Sequence, residues 1–188
     1  MSTQGGAGHT SGAGFSLQRD FSPASSTSTG MLTPEAQPQR QPFDPQGSPA
    51  TVRLTRRYRF AASHRLHSPQ LSEEENCALY GKCNNPYGHG HNYVVEVTVR
   101  GPVDPTLGRA VDLESLDHLV QVTIVRPFDH RNLNQDVAEF MGALVPTTEN
   151  LAAIVQSRLS AAWPAGFAPL DRVRIFETRN NIFEIKHS

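Results

Sequence analysis

Between residues 51 and 62 (TVRLTRRYRFAA), Val52, Leu54, Tyr58 and Phe60 fall at even spacing, and Arg56 breaks the row. Alternation with a period of two marks a strand with one buried face. Residues 92–100 (NYVVEVTVR) carry Tyr93, Val95, Val97 and Val99 on one face and Glu96 and Thr98 on the other. This is the clearest strand in the chain. Gly101-Pro102 and Asp104-Pro105 then mark a turn. From Asp112 or Ser115 onward, Leu113, Leu116, Leu119, Val120 and Ile124 follow helical spacing, and Pro127 is expected to stop the helix. Thr147 or Thr148, just after Pro146, opens a second helix. Leu151, Ile154, Val155 and Leu159 line its face, and Trp163-Pro164 ends it. Residues 171–177 (DRVRIFE) alternate again, and NIFEIKH after Asn180-Asn181 forms a last strand.

Two strands, two helices and two strands predict an α+β fold. The expected architecture is a four-stranded, largely antiparallel sheet with both helices on one face. The other face is then left open, which points to oligomerisation.

Composition changes the picture at the N-terminus. The chain has 188 residues, 37% of them hydrophobic, below the roughly 45–50% (glycine included) of ordinary domains. The first 50 residues hold 8 Ser, 5 Thr, 7 Gly, 6 Pro and 6 Gln, and only 12 apolar side chains. Such a segment buries too little apolar surface to offset its ordering entropy, so residues 1–50 are expected to form a disordered extension and residues 51–188 the single domain. The extension lacks the apolar run of a secretory signal. It is Ser-rich, as transit peptides are, but it carries only Arg19 and Arg40 as arginines, beside Asp20, Glu35 and Asp44. The expected location is the cytoplasm, with organelle targeting left open. Seventeen Lys+Arg against 18 Asp+Glu argue against a general nucleic-acid or membrane-surface binder. No apolar run is long enough for a transmembrane helix, and two cysteines cannot build a disulfide scaffold.

The placement of the eight histidines matters more than their number. His89 and His91, in Gly-His-Gly-His-Asn-Tyr, stand two apart at the mouth of the best strand, where both rings project from one face. Together they could meet one ion. His64, at the end of the first strand, is the best third ligand, because in an antiparallel pair the end of one strand lies beside the start of the other. Three histidines without cysteine would make a catalytic site with an open position, not a closed structural one. His9, His118 and His187 read as ordinary polar residues. Cys77 and Cys83 lack the spacing of a zinc knuckle. Cys83, in Gly-Lys-Cys-Asn-Asn-Pro, sits among turn residues close before His89. It is a candidate base or nucleophile, while Cys77 reads as a small buried side chain.

Five blocks in order resemble the 6-pyruvoyl-tetrahydropterin synthase family. They are Phe60-Ala61-Ala62-Ser63-His64-Arg65-Leu66, Cys83-Asn84-Asn85-Pro86-Tyr87-Gly88-His89-Gly90-His91-Asn92-Tyr93, Asp129-His130-Arg131-Asn132-Leu133, Pro146-Thr147-Thr148-Glu149-Asn150 and Glu177-Thr178-Arg179-Asn180-Asn181. The resemblance runs from about residue 55 to the C-terminus. It implies the tunnelling fold, in which sheets of several subunits join into a barrel, and a homohexamer of two trimers with active sites at subunit interfaces. The implied reaction converts 7,8-dihydroneopterin triphosphate to 6-pyruvoyl-tetrahydropterin, with loss of triphosphate and internal redox of the side chain, in tetrahydrobiopterin synthesis.

By the same resemblance, His64, His89 and His91 hold Zn²⁺ and Cys83 is the general base. Asp129 and His130 complete a proton relay from a neighbouring subunit. Glu177 anchors the pterin, and Thr147, Thr148 and Glu149 offer further contacts at a helix start. Those last three residues also suit a plain helix cap, and Asp129-His130 also suits a solvated turn. Arg65 and Lys82 are candidates for the triphosphate or for solvated surface charge. The sequence departs from the family's usual pattern at Tyr87 (Asn), Ala61 (Ser) and Asn134 (Asp). Tyr87 puts substrate tolerance in doubt. Rival readings are 6-carboxy-tetrahydropterin synthase, whose Cys stands nearer the His-Gly-His motif, a relative with Glu in place of the catalytic Cys, and a non-catalytic pterin- or metal-binding protein.

Overall fold

The computed structural model describes residues 47–187, so the expected disorder of the N-terminal extension falls almost wholly outside the described residues. The elements run β1 (Thr51–His64), α1 (Glu73–Tyr80), a 3₁₀ turn (Gly81–Asn84), β2 (His89–Pro102), α2 (Leu113–Val120), a π turn (Gln121–Val125), α3 (Arg126–Phe128), β3 (Arg131–Asn132), α4 (Leu133–Asp136), a 3₁₀ turn (Ala138–Phe140), α5 (Thr148–Ala162), β4 (Leu170–Phe176) and β5 (Ile182–Lys186).

The four long strands pair antiparallel as expected, but the sheet has five strands in the order β3-β1-β2-β4-β5. The expectation of four strands is corrected by β3, which runs parallel to β1 through Ala62–Arg131 and Ser63–Asn132. Two residues are too few to leave an alternation, so no periodicity could announce this strand. Hydrogen bonds just before it hold it in place: the Asp129 carboxylate accepts from the Ala61 N–H at 2.8 Å, and the His130 N–H donates to the Ala61 carbonyl at 2.6 Å.

Three local differences bear on the site. Strands β1 and β2 extend to His64 and back to His89, so all three candidate metal histidines lie inside paired strand. Arg56 does not break β1, because it bonds Asp117 on α2 together with the Tyr58 hydroxyl. Pro127 does not end the helix at its own position. The backbone widens first, with the Arg126 N–H reaching the Gln121 carbonyl five residues back, and helix continues to Phe128. Proline supplies no N–H for the i−4 carbonyl, and a π turn just before it is one way to absorb that loss. Helix α1, which the apolar pattern did not show, is closed by a capping box between Ser72 and Glu75.

One core lies between sheet and helices. Phe60, Tyr93, Val95, Val97, Val173 and Ile175 from one sheet face meet Leu116, Val120, Ile124, Phe128, Leu151, Val155 and Leu159. On the opposite face Glu96, 5% exposed, is enclosed by ion pairs to Arg57 and Arg174.

Candidate active site

The core-facing row of β2 begins with His89, His91 and Tyr93. The strand register sets His64 opposite His89 and Ala62 opposite His91. Alternation therefore carries all three imidazoles onto the helix-covered face. They stand at the end of the sheet, where apolar cover gives out: His64 is 1% exposed, and His89 and His91 are half-buried.

His64 is oriented from behind. Its Nδ1 lies 2.7 Å from the Pro146 carbonyl, which can only accept, so Nδ1 carries the proton and Nε2 presents a lone pair. That Nε2 stands 3.2 Å from Nε2 of His89, and one nitrogen from each of the three rings lies within 4.8 Å of the others. Bonds of about 2.0–2.1 Å to a tetrahedral ion would separate ligand nitrogens by about 3.3–3.4 Å, so the His64–His89 spacing fits a shared cation. Burial pushes the pKa of both His64 and His89 down. Neighbouring histidines add to this, so both rings are held in the neutral form that coordinates metal. Nδ1 of His89 is buried and has no hydrogen-bond partner among the described residues.

Glu177 joins this cluster from β4. Val173 and Ile175 face the core, and the same alternation brings Glu177, one residue past the strand, to the same face. Its Oε1 lies 3.8 Å from Nε2 of His91 and accepts from the Thr148 hydroxyl at 2.6 Å. Thr148, 3% exposed, can donate because the preceding Thr147 caps α5, its hydroxyl accepting from the Asn150 N–H. Glu149 is exposed in the first turn of α5. Among the described residues it makes no ion pair or hydrogen bond to the cluster, so its position suits a dipole-favoured helix start.

Cys83 lies half-buried on the 3₁₀ turn before β2, and its carbonyl accepts from the Leu66 N–H at 2.8 Å. Cys77 is exposed, contrary to the expectation of a buried side chain. Lys82 is exposed. Arg65, by contrast, turns inward and donates through Nε to the backbone and side-chain oxygens of Asn84.

Asp129 and His130 lie outside the histidine cluster, bonded to Ala61 on the β3 side of β1. The two side chains pair at 2.9 Å, with His130 82% exposed. His130 has φ 58, the one non-glycine positive φ among the described residues. The Ala61 N–H holds the Asp129 carboxyl below its usual range, with help from His130 against partial desolvation. His130 and His91 line one cleft of about 560 Å³ together with Gly90 and Asn92.

Two participants have no role assigned by the sequence pattern, Tyr93 and the Pro146 carbonyl. By its spacing Tyr93 is a strand residue. Its ring centroid lies 5.5 Å from that of His91 with the planes tilted by 60°, and its buried hydroxyl has no hydrogen-bond partner among the described residues. Burial, then the Glu177 charge, raises its pKa. The even spacing His89-x-His91-x-Tyr93 is the signal that could have placed it. The Pro146 carbonyl had no such signal, because a backbone acceptor leaves no mark on residue type.

The family model for 6-pyruvoyl tetrahydropterin synthase matches residues 53–188. A 6-pyruvoyl tetrahydrobiopterin synthase of Poecilia reticulata is 50% identical over 139 residues, covering 72% of this chain and 92% of that protein. The structure of Caenorhabditis elegans 6-pyruvoyl tetrahydropterin synthase superposes with a TM-score of 0.69 at 42% identity, covering 76% of this chain and 100% of the other. A 6-carboxy-5,6,7,8-tetrahydropterin synthase of Rickettsia bellii is only 27% identical over 152 residues, 71% of this chain and 99% of that protein. The histidine cluster and the carboxylate beside it thus lie within a matched region that covers almost all of the described residues, and the chain belongs to the 6-pyruvoyl tetrahydropterin synthase family.

Proposed function

We propose that this chain is a zinc-dependent lyase converting 7,8-dihydroneopterin triphosphate to 6-pyruvoyl-tetrahydropterin with elimination of triphosphate. The observation that carries the reading is the cluster itself: three histidines around one point, with a hydrogen-bonded carboxylate 3.8 Å from one of them. Glu177 accepts two hydrogen bonds from the aminopyrimidine edge of the pterin, as a carboxylate does from a guanidinium. Thr148 fixes its rotamer. His64, His89 and His91 hold the ion, which when bound supplies Lewis acidity that lowers the pKa of the substrate hydroxyls and the adjacent C–H. Cys83 takes the carbon-bound proton, and the Asp129–His130 pair returns a proton on the other side of the side chain.

The exposed His130 side chain at the edge of the sheet suits delivery into the site of a neighbouring subunit. We place it there in a homohexamer of two trimers, with the open sheet faces forming the barrel of the tunnelling fold. A cytoplasmic location completes this reading.

Incubation with dihydroneopterin triphosphate and identification of the product by mass tests the assignment. Triphosphate with a 6-pyruvoyl product is expected. A 6-carboxy product with acetaldehyde would assign the queuosine-type reaction instead, and zinc binding without triphosphate release would assign a binding protein. Elemental analysis reads the metal, and light scattering reads the subunit number.

A further inference from the structure

A four-residue 3₁₀ turn has poor internal hydrogen-bond geometry and cannot hold a thiol in register by itself. The turn that carries Cys83 is instead tied from outside. Asn84, the next residue, is 4% exposed. Its Oδ1 accepts from Arg65 Nε at 3.2 Å and lies 3.1 Å from His67 Nδ1. Its backbone carbonyl accepts from the same Arg65 Nε at 3.0 Å, and its side-chain Nδ2 donates to Cys77 Sγ at 3.6 Å. The Leu66 N–H closes on the Cys83 carbonyl. Residues 65, 66 and 67, the three that follow His64, thus all grip residues 83 and 84. Among the described residues the guanidinium has one further partner, Glu73 at 3.6 Å.

We infer that the Arg65–Asn84 pair is a positioning device for the Cys83 thiol, setting it relative to His64 without itself touching substrate. The inference rests on Cys83 acting as the base in the proposed reaction. Geometry of this kind is held to about half an ångström by a supporting shell, and misplacement by about 1 Å costs on the order of a hundredfold in rate.

The test uses the full-length chain loaded with zinc and four variants: Asn84→Ala, Arg65→Lys, their double, and Asn84→Asp, which keeps the acceptor oxygens. Turnover, KM and zinc content are measured in each. Alkylation of Cys83 by iodoacetamide is followed at one pH in a Cys77→Ser background, where it is the single remaining cysteine. Asn84→Ala and Arg65→Lys should each lower kcat about tenfold to a hundredfold, and the double should be no worse than the poorer single. KM and zinc should stay within about twofold, the alkylation rate should change at least about threefold, and Asn84→Asp should recover most of kcat. A raised KM with intact kcat in Arg65→Lys would overturn the inference by placing the guanidinium on substrate. Joint loss of zinc and kcat, additive singles, an unchanged alkylation rate or failure of Asn84→Asp to recover would also overturn it. Alkylation reads the thiol whether or not Cys83 is the base. Turnover of Cys83→Ala reads the base assignment, so the two failures separate.

Discussion

Gly88 is where a single methyl group would press on the proposed metal site. It has φ +69, and a Cβ built there would lie 2.9 Å from the His64 carbonyl oxygen and 3.3 Å from its carbon. Gly108 has nearly the same backbone, φ +66, with nothing within 4 Å. The two glycines therefore separate strain from contact. Alanine in the left-handed region costs roughly 1–2 kcal/mol, and in a domain of this size 1 kcal/mol moves the melting temperature by about 2–4 °C. Gly108→Ala should therefore melt about 2–8 °C lower, with zinc affinity unchanged. Gly88→Ala carries the same strain and adds a Cβ–oxygen contact of 2.9 Å, closer than a side-chain carbon comes unless something shifts. The atom in the way is backbone. It can recede only by moving His64, whose imidazole is a proposed metal ligand, and by about the half ångström that a preorganised site tolerates. A larger melting shift and a loss of about 10- to 100-fold in zinc affinity are expected, the range seen when a ligand's support is disturbed. Thermal melts and competition with a fluorescent chelator measure both. Equal melting shifts and equal zinc affinities in the two variants would refute the reasoning.

Thr148→Val keeps the shape of a buried side chain but removes the hydroxyl that holds Glu177. A hydrogen bond to a charged group contributes about 1.5–3 kcal/mol, so KM should rise about tenfold or more, with zinc content unchanged. Tyr93→Phe removes a buried hydroxyl without a partner. Such a group costs about 1–3 kcal/mol, so the variant should melt higher, and a lower melting temperature would show that the hydroxyl is satisfied. Hydrogen bonds from Arg56, and then from Tyr58, outweigh desolvation and hold the Asp117 carboxyl below its usual range. The unfolded chain therefore binds that proton more readily than the folded one. This stabilisation is present above pH about 3.9 and is lost as pH falls through the folded value. Thermal melts from pH 6 downward should show a shallower acid decline in Asp117→Asn than in the parent. The Ala50 carbonyl accepts from the Val103 N–H, so the folded body begins before residue 51. Deleting residues 1–46 should leave zinc content, subunit number and turnover unchanged by elemental analysis, light scattering and product assay.

The alternation of residues 51–62 and 92–100, and the apolar stripes of the two long helices, were legible because each reports one buried face within a single element. The cap of α5 at Thr147 was legible for the same local reason. So was the pairing of His89 with His91, two residues apart on one strand. His64 needed one further step, the antiparallel register that sets it opposite His89.

What the sequence by itself determined, then, was the order of the four longer strands and the two main helices, the α+β class and the residues able to meet one ion. The tertiary structure alone decided how those residues are held. Pro146 orients His64, Thr148 restrains Glu177, Arg65 turns inward to Asn84, and Asp129 with His130 clamps the edge of β1 into a fifth strand. These contacts join residues 19 to 82 positions apart, and several end on backbone carbonyls or amides. Residue types record which side chains can bond. They do not record which distant backbone group the fold will bring within 3 Å.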